Sequence, residues 1–113
     1  MGAGYVGVLS VDLHLPEGAS LKGKRSEVRR VKAALAKRLA CAVAEVDHHD
    51  VWQRARLTLA VVTRDAAEAQ RLIDAGSRML HADGAFQVVG EAREIVAVAD
   101  DDDVVRAVAL GRG

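Results

Sequence analysis

The stretch "AVAEVDHHDVWQRARLTLAVVT", residues 42–63, decides how the chain folds. Ala42–Asp47 is short, β-branched and alternating, and Leu57–Thr63 is a stronger alternating run with Leu57, Leu59 and Val61 on one face. Both read as strands, with His48–Arg54 connecting them or forming their paired ends. Two consecutive strands in mid-chain exclude a simple strand-helix alternation, so the flanking segments settle the architecture.

Upstream, Tyr5–Leu15 alternates Tyr5, Gly7, Leu9, Val11, Leu13 and Leu15 against Val6, Val8, Ser10, Asp12 and His14, the pattern of a half-buried strand. Pro16, Gly18 and Ser20 break it, and Ser20 is placed to cap a helix from Leu21. Val28, Val31, Leu35 and Leu39 give that helix an apolar stripe with cations around the rest. Downstream, Asp65 and Glu68 form a capping-box-like start for a second helix, with Ala69, Leu72, Ile73, Gly76, Met79 and Leu80 as its buried stripe and Ala82–Gly84 as its end. Phe86–Val98 is a last strand in which Gly90 predicts a bulge or bend. Strand, helix, strand, strand, helix, strand, joined by right-handed crossovers, is an α+β, ferredoxin-like βαββαβ sandwich: a four-stranded antiparallel sheet with both helices on one face. Residues 1–99 are expected to form this domain. Residues 100–113 read as an acidic C-terminal tail, frayed rather than helical despite Val104, Val105, Val108 and Leu110.

At 113 residues one core suffices without disulfides, and the single Cys41 has no internal partner, which suits a reducing compartment. Met1–Leu9 lacks the pattern of a signal peptide and no apolar run approaches a membrane span, so the expected location is cytoplasmic with no membrane partner. The net charge of zero conceals a dipole. Lys22, Lys24, Arg25, Arg29, Arg30, Lys32, Lys37 and Arg38 are opposed only by Glu27, while acids gather at Glu91, Glu94 and Asp100–Asp103. Such a molecule can bind an anionic partner while its tail limits the attraction.

The segments "VGVLSVDLHLP", "SLKGKR", "AVAEVDHHDVWQRARLTLAVV" and "VVGEAREI" closely resemble the YlxP-like family of small bacterial proteins of unassigned function, over about Tyr5–Val98. The resemblance implies a ferredoxin-like fold. Because genes of that family commonly sit beside those for transcription termination and ribosome maturation, it also implies a role near RNA or the ribosome. It lends no catalytic residue. Gly23, at a position usually charged, and the longer acidic tail depart from the family pattern.

Three chemistries compete for these residues. Asp47, His48, His49 and Asp50 invite a metal, but strand alternation lets only Asp47 with His49, or His48 with Asp50, share an ion, and zinc wants three or four ligands. No metal and no cofactor is expected. His14 and Asp12, or His49 and Asp47, have the right types for acid-base work, yet no nucleophile or glycine-rich phosphate loop accompanies them. A small phosphate-handling enzyme is the distant alternative. The "SLKGKR" turn is the better anion site: a helix start with Lys22, Lys24 and Arg25, continued by Arg29, Arg30 and Lys32. These six are the expected contacts to RNA, with ribosomal RNA or a ribosome-maturation partner in view and no DNA sequence specificity.

The open sheet face is expected to present Ser10, Asp12, His14, Glu45, Asp47, Arg54, Arg56 and Thr58, a poor platform for stacking bases. It could instead pair two copies, Arg54 and Arg56 meeting Asp47 and Glu45 across a two-fold axis. His14, Asp47, His49, Trp52, Gln53 and Arg54 are accordingly read as an interface or polar network, with Trp52 plugging an edge of the core. A homodimeric protein-interaction module without RNA contact is the second reading of the whole.

Overall fold

The computed structural model describes residues 2–16 and 20–99. Its elements are β1 (Tyr5–His14), α1 (Leu21–Leu39), β2 (Ala42–Asp47), β3 (Arg54–Thr63), α2 (Ala66–Ala82) and β4 (Gln87–Ala97). The four strands form one sheet in the order β2-β3-β1-β4, every pair antiparallel, which is the ferredoxin-like βαββαβ arrangement. Gly18 and the acidic tail from Asp100 lie outside the described residues.

Alternation along β1 sorts the two faces of the sheet. Leu9, Val11, Leu13 and Leu15 are buried with Leu57, Leu59 and Val61 of β3, and the stripes of α1 and α2 close over them through Val28, Val31, Leu35, Leu39, Ala69, Ile73 and Leu80. This core is almost wholly aliphatic, with Phe86 its single buried aromatic. Both expected helix starts exist: the Ser20 hydroxyl accepts from the Gly23 N–H at 3.0 Å and the Asp65 carboxylate from the Glu68 N–H at 2.8 Å.

Strand limits differ from the expectation at one place that matters. β3 begins at Arg54 rather than Leu57, because His14 and Arg54 pair at the far end of β1 and the Leu15 N–H donates to the Gln53 carbonyl at 2.8 Å. The strand therefore carries two arginines as well as its apolar run. The irregularity expected near Gly90 is present as a register shift, Asp12 facing Gly90 and Leu13 facing Val88.

Gly7 marks where α2 lies hardest on the sheet. A Cβ there would stand 2.8 Å from Ile73 Cδ1, 3.0 Å from Val61 Cγ2 and 3.3 Å from Ala69 Cβ. Gly7→Ala should overpack this contact at a cost of about 1–3 kcal/mol, offset by about 0.4–1 kcal/mol of lost unfolded-state freedom. Urea denaturation should thus show a net loss of stability, where the same change at the open Gly84, whose added Cβ meets nothing within 4 Å, should show none from packing.

Candidate functional site

The cations of α1 divide into three groups. Lys22, Arg25, Arg29 and Lys32 follow one another at steps of three and four, so they share one flank of the helix. The first three are exposed and Lys32 is half-buried. Among the described residues none of the four enters an ion pair. Arg30, on the opposite flank, is held by Glu27 at 2.8 Å and by Asp83 at the end of α2 at 2.9 Å. Lys37 and Arg38 lie on that side too, neither in an ion pair among the described residues, and Arg38 borders a depression of about 400 Å³ with Ala75, Arg78, Met79 and Ala82 of α2.

Lys24 is the third group and corrects the expected set of anion contacts. It is fully buried, four residues before Val28 on the apolar stripe. Its ammonium donates to the backbone carbonyls of His48, of His49 at 3.3 Å and of Val51 at 2.8 Å, and lies 2.8 Å from Glu45 Oε2. An ammonium has three protons, and three carbonyls take them. Glu45 Oε2 is left without an aligned donor, so it acts on Lys24 through charge rather than through a hydrogen bond. Glu45 Oε1 meets His49 Nδ1 at 3.1 Å. With Lys24 turned inward and the Ser20 hydroxyl already filled by Gly23, the helix start keeps only Lys22 and Arg25 for a phosphate.

The β2–β3 hairpin is therefore a clasp around a lysine. His48 adopts a left-handed conformation, φ 66°, tolerable for histidine, with its N–H bound to Asp47 Oδ1 at 2.8 Å. The loop from His48 to Gln53 curls so that its carbonyls converge on one ammonium. Trp52 is not a plug of the core: it stands in this loop, 38% exposed.

Glu45 leaves the expected open face as well. It pairs with Leu57 and points beneath α1, whereas Asp47 pairs with Arg56 because the register slips by one residue at Val46. That extra residue returns Asp47 to the face from which simple alternation would have removed it. Arg54 makes no ion pair among the described residues; Arg56 does, gripping Asp12 through Nε at 2.8 Å and Nη2 at 2.9 Å. The guanidinium holds the Asp12 carboxyl below the usual carboxylate range by hydrogen bonding, against partial desolvation, with Arg54 and His48 adding charge. His14 stands beside Arg54 and Gln87 at the end of the same face.

One polar network had no sequence reading. On the helix side of β4, Glu91 accepts from the Ser77 hydroxyl at 2.7 Å and from Arg93 at 2.9 Å, with His81 Nε2 at 3.4 Å; Arg93 also reaches Asp74 at 2.6 Å. Ser77, then Arg93, depress the Glu91 carboxyl against desolvation. Serine, histidine and glutamate in this order cannot act as a nucleophilic trio, since the hydroxyl gives its proton to the carboxylate and the imidazole contacts that carboxylate, not the hydroxyl. The i, i+4 spacing of Ser77 and His81 was its signal in the sequence. Among the described residues no group of three or more His, Cys, Asp and Glu converges as a metal site, and no helix is long and apolar enough to cross a membrane.

A family described as "Protein of unknown function (DUF503)" matches residues 6–93, and the chain belongs to that family. No curated protein matches the sequence. Among solved structures, a structural-genomics protein titled YJCS is similar at 7% identity over 79% of this chain and 96% of that chain, TM-score 0.47. A dimeric ferredoxin-like protein from an uncultured marine organism is similar at 12% identity over 87% of this chain and 90% of that chain, TM-score 0.46. At such values neither likeness bears on function.

Two outcomes test this geometry. Lys24→Met should keep the side-chain volume but strand Glu45 and three carbonyls, costing about 3–5 kcal/mol in urea denaturation. Arg56→Met should let Asp12 titrate higher, nearer the ordinary carboxylate value, in a carbon-detected NMR titration. Because the native carboxyl is depressed, the Asp12–Arg56 pair stabilises the fold above about pH 4 and loses that contribution as pH falls through the lowered native value. The variant should show less of this acid sensitivity.

Proposed function

We propose that this member of the DUF503 family is a cytoplasmic, YlxP-like protein without enzymatic activity, acting as a homodimer, that binds the phosphate backbone of RNA through one flank of α1. Lys22, Arg25, Arg29 and Lys32 are the contacts. The observation that carries the reading is that these four cations, spread along about 15 Å of helix axis, lack any acidic partner among the described residues and form one continuous row, while Arg30 on the other flank is neutralised by Glu27 and Asp83. A cation with no carboxylate beside it is available to a phosphate, and a row of them follows a backbone. Lys24 has no part in this contact, and Arg30 would have to exchange Glu27 and Asp83 for it.

The mode of recognition follows from what the protein lacks on its sheet. Base stacking needs exposed aromatics, and of Tyr5, Trp52 and Phe86 none lies on the open face: Tyr5 shares the helix-side alternation, Phe86 is buried and Trp52 is in the β2–β3 loop. Shape and backbone charge are therefore the recognised features, which suits a structured RNA such as that of a ribosome or its assembly intermediates.

Electrophoretic or filter binding to ribosomal RNA fragments tests this over about 50–200 mM salt. With four phosphates neutralised the log-log slope should be about −3 to −4, and Arg25→Gln with Arg29→Gln should flatten it by about 2. Salt-independent binding, or binding unchanged in the double variant, overturns the reading.

A further inference from the structure

The sheet face away from the helices forms five rows across the strands. From one end, Val62, Val6 and Val96 stand side by side, followed by Ala42, Ala60, Val8 and Glu94, then Ala44, Thr58, Ser10 and Ala92. Next come Asp47, Arg56, Asp12 and Gly90, and last Arg54, His14 and Gln87. One end is mostly aliphatic, of small side chains with Val62 79% exposed and Val96 44% exposed, its one charge being Glu94 on the edge strand β4; the other end is charged. Nothing in the described chain covers it, since both helices lie on the opposite side.

We infer that this face is the interface of the homodimer, with the two-fold axis running along the strands between β1 and β3. The inference rests on the dimeric part of the reading above and adds the surface and its symmetry. An axis across the strands would set the valine row on Arg54, His14 and Gln87, and Ala60 and Val8 on Arg56 and Asp12, desolvating charge against aliphatic surface. An axis along the strands lays each row on itself with the strand order reversed. Val62 then meets Val6 of the partner subunit, Ala60 meets Val8 of the partner subunit, and Thr58 meets Ser10 of the partner subunit. Most specifically, Arg56 meets Asp12 of the partner subunit, and the two Arg56–Asp12 pairs form an alternating square of charges. Opposite charges are complementary in that arrangement alone.

Gly90 makes room for this square. A Cβ there would lie 3.2 Å from Asp12 Oδ2, and its absence leaves a depression of about 260 Å³ lined by Ser10, Asp12, Arg56, Gly90, Glu91 and Ala92. The sheet face is large enough for the task. Four strands about 4.8 Å apart and roughly nine residues long, at about 3.3 Å each, present on the order of 600 Å² of flat area before side-chain relief is counted. Standard interfaces bury roughly 800 Å² per partner. Dimerisation through this face leaves both α1 flanks outward, so it does not compete with the proposed RNA contact.

Light scattering coupled to size exclusion, on the full chain over a wide concentration range, reads the result. Wild type should show the mass of two chains. Val62→Glu, harmless to a monomer in which this side chain is exposed, should weaken dimerisation by roughly a hundredfold or more by placing two unpaired carboxylates in the interface. Arg25→Glu with Arg29→Glu, on the helices, should leave the mass unchanged. Val62→Lys and Val6→Glu proteins, each weakened alone, should regain the two-chain mass on mixing, because this axis sets position 62 on position 6 of the partner subunit. A wild type of one-chain mass overturns the dimer and with it this interface. A two-chain mass that survives Val62→Glu overturns the interface alone, and monomerisation by Val62→Glu without recovery in the mixture of Val62→Lys and Val6→Glu proteins overturns the axis.

Discussion

A buried ammonium governs the upper half of this molecule. Lys24 belongs to the helix that covers the sheet, and its partners belong to a strand and loop more than twenty residues away: the Glu45 carboxylate and the carbonyls of His48, His49 and Val51. A charge cannot be taken out of water unless its hydrogen-bonding groups are met, so burial of Lys24 imposes a conformation on the loop. The left-handed turn at His48, the inward direction of Glu45 and the outward position of Trp52 are parts of one solution. Since β2 is an edge strand, this clasp also fixes where the helix sits above it.

The same arrangement separates the surfaces that can meet partners. The flank of α1 that carries Lys22, Arg25, Arg29 and Lys32 is turned from α2, whose end engages Arg30 through Asp83. The open sheet face lies on the other side of the core and has its own internal division into an aliphatic and a charged end. Two polar networks, Asp12 with Arg56 on the open face and Glu91 with Ser77 and Arg93 on the helix side of β4, hold each carboxylate by a hydroxyl or a guanidinium. These networks are structural, and none joins a nucleophile to a base.

Much of this was legible in the sequence. Alternation identified β1, β2 and β4 within a residue or two, the caps at Ser20 and Asp65 located both helix starts, and Gly90 announced the shift in β4. The apolar stripe of α1 also held a signal that charge concealed: Lys24 stands four residues before Val28 and so continues the buried positions 28, 31, 35 and 39. Reading it with the other cations of "SLKGKR" placed it in solvent. A spacing of two puts Glu45 and Asp47 on one face of a regular strand, which the slip at Val46 invalidates. Trp52, which reads as a plug at an edge of the core, instead stands in a loop committed to enclosing Lys24.

The difference between what could and could not be read lies in the range of the forces. Side-chain periods of two and of three to four residues are set by local backbone geometry, so the order of elements, the aliphatic core and the ferredoxin-like class follow from neighbouring residues alone. Which of the eight cations between Lys22 and Arg38 remain in water is a different kind of question. It depends on whether a carbonyl or carboxylate from a distant segment is brought within about 3 Å, and desolvation makes that choice nearly all-or-none. Packing of the hairpin against the helix therefore turned Lys24 from a binding residue into a structural one and left its neighbours free.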